Sequence, residues 1–369
     1  MIRILQVTDV LMQRSGITNV LMNYYRFIDK NRVQFDFYVN SAEENLVEEI
    51  KQMGGSVYFF PKLNMGNAGT VSKDIEIFIS GSMNKYVAIH SHFYQMDFII
   101  FKIAKKYGIN HRIVHSHATA FALNNVMKSV RNRVLFTLGM PHTTDYFACG
   151  KEAGVFMFGK RRTETSKYYM LRNAIDASKF RYNEEIRKEI RREYGWENSY
   201  LIGIAARVSV RKNQIYLVEL MPELLRKQPN AKLIIMGDGE ELGTLKEKVK
   251  RLFLEGKVIF LGTVSNVADF LQALDCFALP SYFEGLPLSV VEAETSGLKC
   301  VVSNFVTKEV VVDGLCKHVA LENRSAWIDA LIEDKEYNRV DKYDRIVEWG
   351  YSLEVEAERL AKKYESMVM

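Results

Sequence analysis

The sequence predicts an α/β protein of two Rossmann-like lobes whose parallel sheets face a central cleft. Three observations carry this. The chain has 369 residues, more than one hydrophobic core ordinarily organises. Short β-branched or aromatic runs alternate with helix-length segments from the first residue to about residue 320, the pattern of βαβ units on parallel sheets. The alternation also falls into two series, separated by a stretch rich in turn formers.

The first series holds the candidate strands "RILQVT", "VQFDFYV", "SVYFF", "YVAIHSH", "RIVHSH" and "DYFACG". The second runs through "YLIGIAA", "AKLIIMG", "VIFLG", "CFALP" and "KCVVS". Between them, "LRNAIDASKF" (171–180) sets Asn173 and Asp176 ahead of a charged helix, which places the boundary of two domains at 1–172 and 173–350. The tail has Leu353, Ala357, Leu360, Ala361 and Tyr364 at helical spacing. One amphipathic helix over 351–369 is therefore expected to pack back on the first domain. Each lobe can hold ligand at the carboxyl ends of its strands.

With 48% hydrophobic residues and no low-complexity tract, the chain is neither disordered nor fibrous. No stretch approaches the roughly 20 apolar residues of a spanning helix, and the start lacks a long apolar signal core. A cytoplasmic protein is expected. Cys149, Cys276, Cys300 and Cys316 form no CxxC pair and read as reduced thiols, mostly in the core. The net charge of +5 is modest, and no nucleic-acid partner is expected. Basic residues do cluster in "FGKRRTETSK" and "RKEIRREYG", either as solvated helix faces or as surfaces for phosphates or an anionic bilayer.

The stretch "PSYFEGLPLSVVEAETSG" (280–297) follows a strand. Pro287 suits the first position of a helix and Gly297 the residue past its end. Glu284 then lies in the loop before the helix. Leu288, Val291, Glu292 and Thr295 share a helical stripe facing protein, with Glu294 on the opposite, exposed side. A carboxylate on the inner stripe needs donors: an internal ion pair or the helix dipole, or hydroxyls of a ligand. In "GIAARVSVRKNQ" (203–214), Arg207 and Lys212 stand in a strand-to-helix loop, as strand-end charges or as cations bracketing a diphosphate. Gly16 ends the loop after the first strand, and Thr18 or Asn19 opens the next helix, whose amides can meet an anion. Two "HSH" triplets, His90–His92 and His115–His117, end equivalent strands. No carboxylate or cysteine accompanies them at ligand spacing, so packing accounts for most of these imidazoles and no metal is expected; His117 is the candidate for substrate contact. The sequence has no GxxxxGK[ST], HExxH, GxSxG or D-x-D element, so charge on a diphosphate must be met by side chains.

These residues together resemble the retaining glycosyltransferases of family four, which have the GT-B fold, most closely the bacterial capsular and exopolysaccharide transferases. The similarity runs from "RILQVT" through "FACGKEAGVFMFG", "NAIDASKF" and "IIMGDGEEL" to the last helix, and its most specific part is E-x7-E, here Glu284 and Glu292. The resemblance implies that Glu284 contacts the donor sugar and Glu292 the nucleotide ribose. It places the amides of Gly285 and Leu286, with Pro287 and Leu288 beside them, near the sugar and phosphates. It gives Arg207 and Lys212 to the diphosphate, His117 to the donor sugar, Gly16 to the wall of the cleft, and the loop of Gly262 and Thr263 to the base. The first domain is then the acceptor side and the second the donor side. The first loop reads Ser15, Gly16, Ile17 where relatives often carry two glycines and a glutamate; Ala118 stands for a usual Asn and Arg172 for a usual Pro.

The implied activity is retaining transfer from a nucleotide diphosphate sugar, a UDP-sugar, to a glycan or lipid-linked acceptor, with no cofactor beyond the donor and with peripheral contact to the anionic inner leaflet. A nucleotide-sugar epimerase or glycan phosphorylase of the same architecture, and a catalytically silent partner subunit, are the alternatives.

Overall fold

The structure, a computed structural model, describes residues 1–13, 15–64, 66–82, 84–117, 121, 125–310, 314–333 and 338–368. The chain divides into two compact units, Met1–Ala174 with Leu353–Met369, and Ile175–Ser352.

The first unit is a parallel sheet of seven strands: β1 (Ile2–Leu11), β2 (Val33–Ala42), β3 (Val57–Phe59), β4 (Ala88–Ser91), β5 (His111–Ser116), β6 (Asp145–Ala148) and β7 (Tyr168–Met170), in the order β3-β2-β1-β4-β5-β6-β7. Residues Ile4, Leu5 and Val7 of β1 are all buried, because helices cover both faces of a parallel sheet. One of these is the terminal helix Leu353–Glu365, whose Leu353, Ala357, Leu360 and Tyr364 join the core beneath β1 and β2. Its outer edge is clamped by Arg32, which reaches Glu358 at 2.6 Å and Glu365 at 2.7 Å.

The second unit is also parallel: β8 (Tyr200–Ala205), β9 (Ala231–Met236), β10 (Val258–Gly262), β11 (Cys276–Leu279), β12 (Cys300–Ser303) and β13 (Cys316–Val319), in the order β10-β9-β8-β11-β12-β13. The order reverses between β8 and β11, so the loops leaving their carboxyl ends diverge and open a crevice there. β7 and β13 are absent from the strands read in the sequence. Both are edge strands, of three and four residues, too short to alternate visibly, and β13 is further interrupted by Lys317 and His318.

Three local expectations change. The helix at 280–297 begins at Leu288, with Pro287 as its cap at φ −77°, ψ 102° rather than its first helical residue. Glu294 is fully buried, not exposed. Val290, Val291, Ala293 and Thr295 are buried with it, so this short helix has no solvated face; the less covered edge is Leu288, Ser289 and Glu292. The helix after β1 runs Gly16–Phe27, capped by Ser15, whose hydroxyl accepts from the Thr18 amide at 3.4 Å. Thr18 is thus a buried first-turn residue, and its hydroxyl donates to the Val10 carbonyl at 3.1 Å. Gly297 does follow its helix at φ 66°, where a Cβ would lie 1.9 Å from the Val340 carbonyl oxygen.

The cysteines form no disulfide, and three of the four are buried. The basic stretch "RKEIRREYG" is used internally: Arg187 donates to the carbonyls of Gln272, Ala273 and Leu274, and Arg191 pairs with Asp275 at 3.2 Å. Among the described residues, no helix is long and apolar enough to cross a membrane.

Candidate functional site

The second unit gathers its motif residues where β8 and β11 part. The loop after β8 turns sharply at Asn213, held at φ 57°, ψ 38°. Asparagine tolerates this left-handed region better than most residues. The turn aims the Asn213 side-chain amide at the Pro280 carbonyl, 3.1 Å away at the end of β11. Beside it, the Tyr282 amide donates to the Arg211 carbonyl at 2.9 Å. The loops of Lys212 and Glu284 are thereby tied, and the Lys212 ammonium lies 2.6 Å from a Glu284 carboxylate oxygen. Their side chains are only 13% and 7% exposed, so each charge answers the other where water is scarce.

The neighbouring loop after β9 is packed just as closely. A Cβ at Gly237 would lie 2.0 Å from the Ala206 carbonyl oxygen, and one at Gly239 would lie 2.1 Å from that of Val208. Only glycine admits this approach. The Gly237 amide in turn donates to Gly262 at 2.7 Å, which fixes the end of β10 and leaves Thr263 exposed. Arg207, at the mouth of the β8 loop, is 65% exposed and pairs with Glu240 at 2.9 Å, a surface pair of little energetic weight. Gly285 is exposed and Leu286 half-buried ahead of the Leu288 helix, with no atom within 4 Å of where a Gly285 Cβ would stand. Glu292, one turn into that helix, makes no side-chain hydrogen bond or ion pair among the described residues. Burial pushes its carboxyl up to about 7. The structure therefore brings Lys212 and Glu284 into contact, keeps Arg207 nearby on a movable surface pair, and leaves Glu292 half-buried and unanswered.

In the first unit, Gly16 is exposed at its helix start, with open space where a Cβ would be. Ala118 lies outside the described residues. The four histidines of the HSH triplets form one hydrogen-bonded cluster. Tyr364 Oη is 2.6 Å from His90 Nδ1, and His90 Nε2 is 3.2 Å from His115 Nδ1. On the other branch, Gln6 Oε1 is 3.0 Å from His92 Nε2, and His92 Nδ1 is 2.7 Å from His117 Nε2. Gln6 Nε2 donates to Tyr364 Oη at 3.3 Å, so the tyrosine hydroxyl is free to donate to His90. His92 then donates from Nε2 to Gln6 and accepts from His117 Nε2–H at Nδ1. His117 is left with Nδ1 as its lone-pair nitrogen, an acceptor for a hydroxyl.

Ring nitrogens of His90, His92 and His115 also fall within 4.8 Å of one another, as a metal site requires. The rings are stacked, with centroids 4.4 Å apart for His90 and His92 and 5.2 Å for His90 and His115; both nitrogens of His90 and His92 and the Nδ1 of His115 are spent on hydrogen bonds within the cluster, and the buried His115 Nε2 has no hydrogen-bond partner among the described residues. Burial holds His90, His92 and His115 well below the usual imidazole range and lowers His117 to about 4.

The sequence did not single out Asn213, Gly237, Gly239, Glu240, Gln6 or the contact of Tyr364. The double glycine of "MGDGE" was the one available signal. Gln6 and Tyr364 are 358 residues apart, beyond any local pattern.

A family model described as "Glycosyl transferases group 1" matches residues 186–351. The chain is 31% identical over 326 residues to EpsF of Bacillus subtilis (strain 168), which carries a glycosyltransferase name, covering 87% of this chain and 84% of that one. It is 25% identical over 375 residues to the Escherichia coli UDP-Gal:alpha-D-GlcNAc-diphosphoundecaprenol alpha-1,3-galactosyltransferase, covering 96% and 95%. In fold it is similar to Anabaena Alr3699/HepE in complex with UDP, with a TM-score of 0.78 at 16% identity over 99% of this chain and 100% of that one.

The histidine cluster predicts acid sensitivity of the first unit. Its imidazoles are neutral when folded and protonate near 6.5 when unfolded, so the unfolded state gains protons first and stability falls as pH drops below about 6.5. All three tryptophans, Trp196, Trp327 and Trp349, lie in the second unit. Between pH 7.5 and 5, thermal melts followed by far-UV circular dichroism should lose their midpoint before melts followed by tryptophan fluorescence. Coincident shifts at every pH would contradict the assignment.

Proposed function

The chain belongs to the glycosyl transferases group 1 family, in the GT-B fold, and from that premise we propose that it moves a sugar from a UDP-sugar to a lipid-linked glycan, with retention at the anomeric carbon, in capsular or exopolysaccharide synthesis. The observation that carries the reading is the Lys212–Glu284 pair at the point where the strand order of the second unit reverses, with Glu292 half-buried in the following helix. A nucleotide sugar offers hydroxyls to carboxylates and a diphosphate to cations, which is the chemistry those side chains accept. The Escherichia coli relative, named for a UDP-Gal donor and a diphosphoundecaprenol-linked acceptor, supports both choices.

In this reading Glu284 receives hydroxyls of the donor sugar and Glu292 those of the ribose, while the base lies along Gly262 and Thr263. The amides of Gly285 and Leu286, at the start of the helix that follows Pro287 and Leu288, face the phosphates. Lys212, already held by Glu284, is placed rather than searching, and Arg207 leaves its surface pair with Glu240 to reach the diphosphate. Both cations stabilise the charge that grows on the leaving phosphate as the glycosidic bond breaks. The departing phosphate accepts the acceptor's proton on the same face, so no protein nucleophile is needed and the configuration is kept. No metal enters the scheme. His117 offers its Nδ1 lone pair to a ligand hydroxyl, and Gly16 leaves room for one.

Lys212→Ala should lower kcat by about 10²-fold, or ~3 kcal/mol of transition-state stabilisation, with a smaller change in donor affinity; unchanged kcat in steady-state assays would remove Lys212 from this role. Protection against thermal unfolding by a panel of UDP-, GDP- and ADP-sugars tests the donor class, with UDP-sugars expected to raise Tm most. Donor affinity measured by calorimetry should rise with pH through about 7, as Glu292 ionises and becomes a better acceptor. Glu292→Gln should flatten that dependence and weaken binding by about 1–3 kcal/mol; an equal slope in both proteins would count against the ribose contact.

A further inference from the structure

We infer that Glu240 is a positioning residue that competes with the donor's diphosphate for Arg207 and so sets how tightly the nucleotide is held. The inference rests on the donor reading of Arg207 and adds to it a competitor built into the fold. β8 and β9 pair in register as far as Ala205 and Met236, and the pairing continues past both strands. The Ala206 amide donates to the Met236 carbonyl at 3.0 Å, the Val208 amide to that of Asp238 at 2.9 Å, and the Glu241 amide back to that of Val208 at 3.3 Å. Gly237 and Gly239 press against the carbonyls of Ala206 and Val208, so the two loops form one backbone frame. Arg207 and Glu240 stand on this frame with side chains 65% and 53% exposed, Nε to Oε2 at 2.9 Å.

Charge points to the same role. The β9 loop reads Gly237, Asp238, Gly239, Glu240, Glu241, which puts three acids at a strand end beside the cations that meet a diphosphate. Acids there oppose an anionic ligand unless each is answered within the protein. Asp238 is taken up by its own turn, accepting from the Gly239 amide at 2.7 Å. Glu241 is half-buried as the cap of the helix Leu242–Arg251, where the helix dipole favours a carboxylate. Glu240 has neither place, and its carboxylate meets Arg207. Arg207 in turn has no other side-chain partner among the described residues, whereas Lys212 is 13% exposed and held by Glu284. An exposed pair of this kind is weak, which suits a contact made to be exchanged. It occupies the guanidinium part of the time, yet it gives way to a diphosphate, whose oxygens offer the same fork a denser charge. Nucleotide affinity then falls by the fraction of time the pair is closed. Donor and product share the diphosphate, so the competitor loosens the product as well.

The test is calorimetric titration of the full chain with UDP. Glu240→Gln keeps the size of the side chain and removes its charge, and it should tighten UDP binding about 2- to 6-fold. Arg207→Ala should weaken binding. In the Arg207→Ala background, Glu240→Gln should change nothing further, since competition needs the arginine. Uridine, which has no phosphate, should bind the wild type and Glu240→Gln equally. Unchanged or weaker UDP binding by Glu240→Gln, alongside weakened binding by Arg207→Ala, overturns the inference and leaves the donor role of Arg207 standing. A gain of equal size with and without Arg207 assigns plain repulsion between Glu240 and the diphosphate and also overturns it, as does a matching gain for uridine. If Arg207→Ala binds UDP as the wild type does, the donor reading of Arg207 falls and the inference falls with it.

Discussion

The ion pair between Lys212 and Glu284 is the constraint on which the second unit's site depends. Two nearly buried charges cannot be left apart, because an unanswered charge in that position is strongly destabilising. The loops that carry them must therefore meet. They do so because β8 and β11 are neighbours at the reversal of strand order, because Asn213 accepts a left-handed backbone, and because the Asn213 side chain reaches the Pro280 carbonyl. Gly237 and Gly239 let the β9 loop press against the same segment without a Cβ in the way. The glycines, the asparagine and the pair form one arrangement in which the backbone brings charge to a strand end and holds it there.

A different device serves the first unit. Its four histidines, three buried and His117 half-buried, are held as neutral groups and oriented by hydrogen bonds that begin at Tyr364 and Gln6. The last helix of the chain therefore does more than cover apolar surface. Its Tyr364 hydroxyl sets the direction of donation through His90, and by engaging the Gln6 amide it frees the Gln6 oxygen for His92. The consequence at the edge of the cluster is a His117 ring with a defined acceptor, obtained without any charged group.

Much of this was legible in the sequence. Alternating runs marked eleven of the thirteen described strands, since strands inside parallel sheets are continuous apolar stretches, whereas the edge strands β7 and β13 are short and β13 is partly polar. Arg207 and Lys212 stood out as two cations in one strand-to-helix loop, and Glu284 and Glu292 through their E-x7-E spacing. The phase of the Leu288–Thr295 helix misled at Glu294, because helical periodicity identifies an outer face only when a helix has one, and this helix is enclosed nearly all round. Glu240 and Gln6 left no local trace: their meaning lies in partners across the fold.

A double-mutant cycle on Lys212 and Glu284, with UDP-sugar affinity as the readout, tests the central claim most directly. If the two side chains act as one unit at the donor, Lys212→Ala and Glu284→Ala together should weaken binding by clearly less than the sum of their separate effects, a coupling of about 1 kcal/mol or more. Strictly additive losses, or no loss in either single variant, would contradict it.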